Sequence, residues 1–431
     1  MGPMTESGSK LGQRIRRNIA WKTAATAIEK LLRLGLIVVA ARLMGPDRWG
    51  QYTYALTIAF LAVQLSDLGL SLFVSRELAR EQRIDADFLA EVLGLKVSLA
   101  VLYGVAMLGV ALWHHAETNL IITLGLCAVI AMNQSLLELA SHVFRGIQDL
   151  SLEAKATTVM AICQVSLGGL ALATLWWAPE LGDAVIVYVA ALALAGCLGS
   201  WLAWRQVQLL VEVRVRFSKA MAIRFQKEVL PLGIAIVASL LYYKIDVPMI
   251  RAFHGDTQTG LYTASYKILE VLAIVPSIVM AATFPALSER VTNARSEALR
   301  LHQISLRWLA IAGVVVGAIL AIGPEWIVAI LYGDRFAMAA GLLPILGLSV
   351  VLVFVNYLQT HMLVALGLVR AQMWISLSLI GVNVGLNWLW IPSHGGIGAA
   401  WATLVTELCL LLAVSPLVYK ALRHDHSEAT Q

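Results

Sequence analysis

Charged residues are scarce in this chain of 431 residues: they make up 14% of it, whereas 59% of the residues are hydrophobic. A soluble domain usually has about 25% charged and 45–50% apolar residues. The composition therefore argues against a soluble enzyme, a nucleic-acid-binding domain and a disordered chain. The strands of an outer-membrane barrel alternate apolar and polar residues, so the unbroken apolar run 97–113 excludes that class as well.

Sequence motifs for built-in chemistry are also lacking. The chain has no GxxxxGK[ST] nucleotide loop, no HExxH or CxxC metal pattern and no TVGYG filter. Its four cysteines lie inside apolar segments, where buried free thiols are expected. We therefore expect no cofactor, no metal site and no nucleic-acid partner.

Long apolar segments dominate the chain. One membrane-spanning helix needs about 20 apolar residues, and glycine, proline and charge clusters divide the sequence accordingly. The pattern predicts an all-α, polytopic membrane protein with about 12 transmembrane helices. The predicted spans are 19–43, 51–74, 89–113, 119–143, 156–177, 183–204, 229–253, 261–287, 304–323, 341–366, 372–391 and 396–419. Residues 324–340 are too interrupted for a span and are predicted to be interfacial or re-entrant.

Lys and Arg residues in the connections alternate between the two sides of these spans. One side carries 22 of them, and the other carries four: Arg42, Arg48, Arg251 and Arg335. Cytoplasmic loops are enriched in Lys and Arg. The distribution therefore supports the span count and places both termini in the cytoplasm.

A repeated motif indicates a duplicated architecture. The pattern GxxxxGxYT occurs at 45–53 and again at 255–263, an offset of 210 residues. Because six spans precede the longest polar stretch and six follow it, the two halves form a parallel repeat about an axis along the membrane normal. The predicted divisions are a cytoplasmic tail at 1–18, a six-helix lobe at 19–204, a linker at 205–228, a second lobe at 229–419 and a cytoplasmic tail at 420–431.

Ionisable residues inside several spans are functional candidates, since a charge at membrane depth is costly and usually faces protein or water. A structural alternative is open for each. Glu29 and Arg33 are four residues apart and can neutralise each other, Lys22 can reach the interface, and Lys244 can pair structurally with Asp246. Lys96 and Glu407 are expected to be partnered structural charges.

Several motifs together resemble one known family. They are Asn18-Ile-Ala-Trp21, the segment 41–52, Asp67-Leu-Gly-Leu70, Tyr242-Tyr-Lys-Ile-Asp246, the segment 260–267 and Phe284-Pro-Ala-Leu-Ser288. They resemble the Wzx-type polysaccharide-biosynthesis flippases of the multidrug/oligosaccharidyl-lipid/polysaccharide export superfamily. The resemblance covers nearly the whole chain, including the six-plus-six layout.

This resemblance implies two six-helix lobes around a central, partly cationic cavity that works by alternating access. It implies a polyprenyl-diphosphate-linked oligosaccharide as substrate, moved from the cytoplasmic to the periplasmic leaflet of a bacterial inner membrane. The product would serve surface polysaccharide assembly, such as O-antigen, exopolysaccharide or lipopolysaccharide. A polysaccharide polymerase and glycosyltransferases are possible partners, and Na⁺ or H⁺ is a possible coupling ion.

Site residues follow from this reading. The expected headgroup contacts are Lys22, Arg33, Lys244 and Lys267, with Arg42, Arg48 and Arg251 nearer the periplasmic mouth. The expected charge-tuning or ion-coupling acids are Glu29, Asp246, Glu270 and Asp67. The candidates for stacking on sugar rings are Tyr52, Tyr54, Tyr262 and Tyr266, for which an interfacial aromatic belt is the alternative.

Three other functions stay open at this point. A cation-coupled multidrug exporter of the same superfamily would have a net acidic site. A membrane-embedded glycan polymerase or ligase would typically carry a large periplasmic loop, which this sequence does not offer. An interaction scaffold would leave costly buried charges without a purpose.

Overall fold

The computed structural model describes residues 5–81, 85–114, 117–178, 180 and 182–423. Side chains are described from Leu32 onward, except at 231, 232, 235, 236, 238, 239 and 242. Throughout these ranges the chain is helical apart from short connections and has no β-strand. The prediction of an all-α fold is confirmed.

Fourteen α-helices and two 3₁₀ segments, Gln64–Ser66 and Asp334–Leu342, make up the described chain. The helices are α1 Thr5–Val63, α2 Leu70–Glu81, α3 Ala86–Trp113, α4 Thr118–Gly146, α5 Leu150–Trp177, α6 Ala184–Leu210, α7 Lys219–Glu228, α8 Leu230–Lys244, α9 Asp246–Leu272, α10 Ile274–Asn293, α11 Arg295–Ile322, α12 Pro324–Tyr332, α13 Leu343–Ala365 and α14 Val369–Arg423.

Three glycines break the longest helical runs. Gly45 in α1, Gly255 in α9 and Gly395 in α14 have φ values of 77°, 75° and 55°. Only glycine adopts this left-handed region without strain. Because each glycine lies at a turn between two predicted spans, the described helices form twelve membrane-length segments, in the predicted order.

The apolar lengths agree with this division. Eight helices of the described part are long and apolar enough to cross a membrane, or nine if Leu32–Ser66 and the bent continuation Leu70–Glu81 form one span. The continuous runs Asp246–Asn293 and Val369–Arg423 count once each, with 48 and 55 residues. The run Val369–Arg423, which breaks at Gly395, has the length of about two crossings.

The segment 324–340 contains no membrane-length helix of its own. It forms the nine-residue helix α12 and, after Gly333, the 3₁₀ segment Asp334–Leu342. A nine-residue helix is only about 14 Å long, less than half the thickness of the hydrocarbon core. Its interfacial or re-entrant placement stays a prediction.

Aspartates begin three of the spans. Asp85, Asp149 and Asp183 each accept hydrogen bonds from two backbone N–H groups at the start of α3, α5 and α6. These caps satisfy amides that have no partner within the helix. The hydrogen bond from the Ser151 hydroxyl, together with those from the backbone amides of Leu152 and Ser151, lowers the pKa of the Asp149 carboxyl.

The chain forms two compact units. The first comprises 1–43 and 62–230, and the second comprises 44–61 and 231–431. The core of the first unit includes Phe144 and also Met221 and Phe225 from the linker helix α7. The core of the second unit lies around Leu346, Val350 and Phe354 of α13.

Candidate functional site

A cavity of about 380 Å³ lies inside the second unit. Its lining combines three ionisable side chains with aromatic and amide groups on α8, α9, α13 and α14. The charged and polar lining residues are Tyr243, Lys244, Tyr266, Glu270, Asn356, Tyr357, Thr360, Thr403 and Glu407. Three of the predicted site residues are therefore brought together here: Lys244, Tyr266 and Glu270.

Glu270 joins two lysines at this cavity. Its Oε1 accepts a hydrogen bond from Lys244 Nζ, and its Oε2 accepts one from Lys267 Nζ at 2.6 Å. Lys267 and Glu270 are three residues apart on α9 and so share a helix face. Lys244 reaches the carboxylate from the last turn of α8, and its Nζ lies 5.8 Å from the centre of the Tyr266 ring.

A second acid in the cavity was not chosen as a site residue from the sequence. Glu407 Oε2 accepts a hydrogen bond from Asn356 Nδ2 at 2.7 Å, and the Glu407 carbonyl accepts another at 2.8 Å. Its expected role was that of a partnered structural charge. The partner is confirmed, and the lining position adds a carboxylate to the site. The signal that could have found it is a lone glutamate in an otherwise apolar span.

Asp246 lies away from this lining. It is buried, and its two oxygens accept hydrogen bonds from the Tyr262 hydroxyl and the Val247 amide. Lys244 and Asp246 thus point to different sides of the chain, as expected from a separation of two residues. The role of Asp246 in tuning the charge of that lysine, or in binding a coupling ion, stays a prediction.

Most of the aromatic candidates are enclosed by protein. Tyr262 is 0% exposed and stacks against Tyr266, with their ring centres 5.6 Å apart. Tyr52 is buried against Trp49, and Tyr54 is buried beneath a guanidinium group. This packing leaves Tyr266 as the one sugar-stacking candidate of the four that lines the cavity among the described residues.

The cations predicted nearer the periplasmic mouth do not line the cavity. Arg251 donates to Asp256 at 2.6 Å, and its guanidinium lies 4.4 Å from the centre of the Tyr54 ring. Arg42 and Arg48 are exposed. Their contact with a headgroup nearer the periplasmic mouth stays a prediction.

The remaining candidates belong to the first unit. Asp67 Oδ1 accepts a hydrogen bond from Lys96 Nζ at 3.0 Å, and the same ammonium donates to Ser135 Oγ at 2.7 Å. Lys96 is 2% exposed, so this is a buried ion pair, as the sequence suggested for Lys96. Arg33 is half-buried in α1. The side chains of Lys22 and Glu29 lie outside the described residues.

The two copies of the GxxxxGxYT motif meet at equal positions. Asp47 Oδ1 accepts from Thr257 Oγ1 at 3.0 Å, and the hydroxyl oxygens of Thr53 and Thr263 lie 3.1 Å apart. Between these pairs, a Cβ on Gly50 would overlap the Asp256 carbonyl, and one on Gly260 would overlap that of Pro46. The copies therefore run side by side in the same direction, and close backbone approach explains the second glycine of the motif.

Such a chain of twelve membrane-length segments, with a duplicated motif and a charged cavity, has the architecture of a polytopic membrane transporter fold. A family model described as polysaccharide biosynthesis protein matches residues 15–291. The chain belongs to this family of polysaccharide biosynthesis proteins.

One similar protein is the probable flippase AglR of Haloferax volcanii. It is 31% identical over 186 residues, which cover 41% of this chain and 38% of that protein. The match therefore spans well under half the length of this curated relative.

Two solved structures have the same fold. The lipid II flippase MurJ, in an inward closed conformation, superimposes with a TM-score of 0.76 at 11% sequence identity. The superposition covers 94% of this chain and 89% of the MurJ chain. An inward-facing multidrug resistance MATE family transporter of the MOP superfamily gives a TM-score of 0.68 at 14% identity and covers 91% and 95%. At these identities the similarity shows the fold alone, and it agrees with the polytopic helical fold predicted from the sequence.

Proposed function

We propose that this protein is a flippase that moves a polyprenyl-diphosphate-linked oligosaccharide across a bacterial inner membrane for surface polysaccharide assembly. One observation carries the proposal: two lysines, one of which also lines the cavity, are joined to a glutamate of an aromatic-lined cavity inside a membrane-spanning unit. They are Lys244 and Lys267, both joined to Glu270. The protein is a transporter and not a glycan polymerase or ligase.

The chemistry of the cavity suits such a substrate. A diphosphate and its sugars cannot cross hydrocarbon unaided, because both would lose their hydration. Lysine ammonium groups form charge-assisted hydrogen bonds with phosphate oxygens. The rings of Tyr243, Tyr266 and Tyr357 give the same cavity flat apolar faces for sugar rings.

The transport cycle is proposed to be alternating access, with both termini in the cytoplasm and movement from the cytoplasmic to the periplasmic leaflet. Coupling to Na⁺ or H⁺ would need an acid that the cavity exposes, and Glu270 and Glu407 are the two lining acids. Glycosyltransferases would build the glycan before transport, and a polysaccharide polymerase would act on it afterwards.

Mass spectrometry of lipids that co-purify in mild detergent tests the proposal. Wild type should retain a polyprenyl-diphosphate glycan, and Lys244→Ala should lose it. Arg214→Ala is the matched control, because it removes an exposed cation outside the cavity and should leave retention unchanged. Absence of any such lipid from wild type, or equal retention in Lys244→Ala, would refute the assignment.

A multidrug exporter is the second candidate, and the lining charges favour it. Two glutamates and one lysine line the cavity, Glu270 and Glu407 against Lys244, and a site for cationic drugs is expected to be acidic. Saturable binding of a cationic dye that Glu407→Gln abolishes, without any retained glycolipid, would establish this function instead.

A further inference from the structure

The carboxylate of Glu270 occupies the place between two cations where an anionic ligand would bind. Each of its oxygens accepts a hydrogen bond from a different lysine, Lys244 or Lys267. The three side chains are 28–36% exposed, and Lys244 and Glu270 line the cavity. A ligand in the cavity can therefore reach Lys244 and Glu270 directly, and the ammonium of Lys267 lies next to them, 2.6 Å from Glu270 Oε2.

We propose that Glu270 is an internal competitor for the anion site: the diphosphate of the substrate binds by displacing this carboxylate from Lys244 and Lys267. This inference rests on the proposed function, since it takes the diphosphate from that substrate class. A diphosphate carries more negative charge and more acceptor oxygens than one carboxylate, so it can replace both charge-assisted hydrogen bonds.

Glu270 also lowers the electrostatic cost of holding two lysines close together when no ligand is bound. Two neighbouring ammonium groups at membrane depth would repel each other and would be costly to desolvate. With Glu270 between them, the cluster carries one net positive charge instead of two. The site is thus preserved in the absence of ligand.

The same carboxylate limits how tightly the ligand binds. Once displaced, Glu270 stays on α9 beside the bound anion and repels it. A transport site must bind strongly enough to load and weakly enough to unload. Glu270 therefore favours release, and its loss should strengthen binding while slowing transport.

Glu407 supplies a matched comparison in the same cavity. Its carboxylate accepts a hydrogen bond from the neutral amide of Asn356, whereas the carboxylate of Glu270 accepts its hydrogen bonds from Lys244 and Lys267. Neutralising either glutamate changes the cavity charge by the same amount. If only the cavity charge matters, the two substitutions should strengthen anion binding equally. If displacement operates, only the substitution of Glu270 should strengthen it.

Calorimetric titration of the purified full-length protein with inorganic diphosphate tests the inference. Glu270→Gln should bind at least about tenfold more tightly than wild type, the factor that corresponds to one hydrogen bond to a charged group. Glu407→Gln should bind like wild type, and Lys267→Gln more weakly. Equal tightening in the two glutamate variants, or no tightening in Glu270→Gln, would overturn the proposal.

Two further measurements keep the outcome decisive. If Glu270→Gln does not fold, as judged by its melting temperature, Glu270→Asp replaces it, because a carboxylate one methylene shorter should give intermediate tightening, and wild-type affinity would refute displacement. If wild type retains a glycolipid but Glu270→Gln leaves the diphosphate affinity unchanged, displacement fails and the flippase function stands. If diphosphate binding tightens but no glycolipid is retained, the flippase function fails.

Discussion

The hydroxyl oxygens of Thr53 and Thr263 lie 3.1 Å apart, although 210 residues separate them along the chain. That separation equals the offset of the repeated motif, so each threonine contacts its own duplicate. Asp47 and Thr257 obey the same relation. The motif is thus a packing device, and its two copies stabilise each other.

A disulfide should form between the paired threonine positions. In a protein whose four native cysteines are replaced, Thr53→Cys with Thr263→Cys should cross-link on mild oxidation, because neighbouring side-chain atoms at this distance suit disulfide geometry. Mass spectrometry of the linked peptides measures the yield. Thr53→Cys with Thr257→Cys is the control, since position 257 is about 9 Å further along the helix. Equal yields from the two pairs would contradict the observed register.

A methyl group at the second motif glycine should separate the two copies. Gly50→Ala places a Cβ against the Asp256 carbonyl, and overpacking of this kind costs about 1–3 kcal/mol. The melting temperature in detergent should fall. Gly104→Ala, where nothing lies within 4 Å of the new Cβ, should be neutral or slightly stabilising. The prediction fails if the two variants melt alike.

The two residues of the buried ion pair in the first unit should be strongly coupled in their effects on the free energy of unfolding. Lys96→Met removes an ammonium that is 2% exposed and leaves Asp67 without that partner. Breaking a buried pair in this way costs about 3–5 kcal/mol. The double variant with Asp67→Asn should recover part of that loss, as thermal unfolding of the purified variants would measure. Simple addition of the two single effects would argue against energetic coupling between Lys96 and Asp67.

The cap of α5 should make stability depend on pH. The pKa of Asp149 is lowered in the folded protein by hydrogen bonds from Ser151 and from backbone amides. Its contribution is therefore complete above the unfolded pKa of about 3.9 and is lost as the pH falls through the folded value. Asp149→Ala should cost about 1 kcal/mol at neutral pH. Asp149→Asn should keep most of the cap and lose this acid dependence, as melting curves between about pH 7 and pH 3 would reveal.

Much of the fold could be predicted from the sequence, because a membrane-spanning helix must consist mainly of apolar residues. The twelve predicted spans correspond to the helical segments, since hydrocarbon requires long apolar runs with internally bonded backbones. The glycines at 45, 255 and 395 marked the turns because left-handed backbone strongly favours that residue. The meeting of the two motif copies was not predicted, since a shared pattern does not specify contact.

The site was only partly accessible. Lys244, Tyr266 and Glu270 were selected because ionisable and aromatic residues are conspicuous in a span, and they line the cavity. Asp246 was selected for the same reason, yet its oxygens bond with Tyr262 and Val247. Sequence spacing gives the face of one helix but not which neighbouring helix covers that face.

The side-by-side motif copies also have a consequence for how such a chain can arise. A surface that contacts its own duplicate through equal positions is self-complementary, as in an isologous dimer interface. A half-length protein carrying one copy would already have the surface needed to bind a second molecule of itself. Gene duplication and fusion would then join two subunits whose interface already existed. Every later substitution in one copy of the motif would have to pack against the unchanged residues of the other copy.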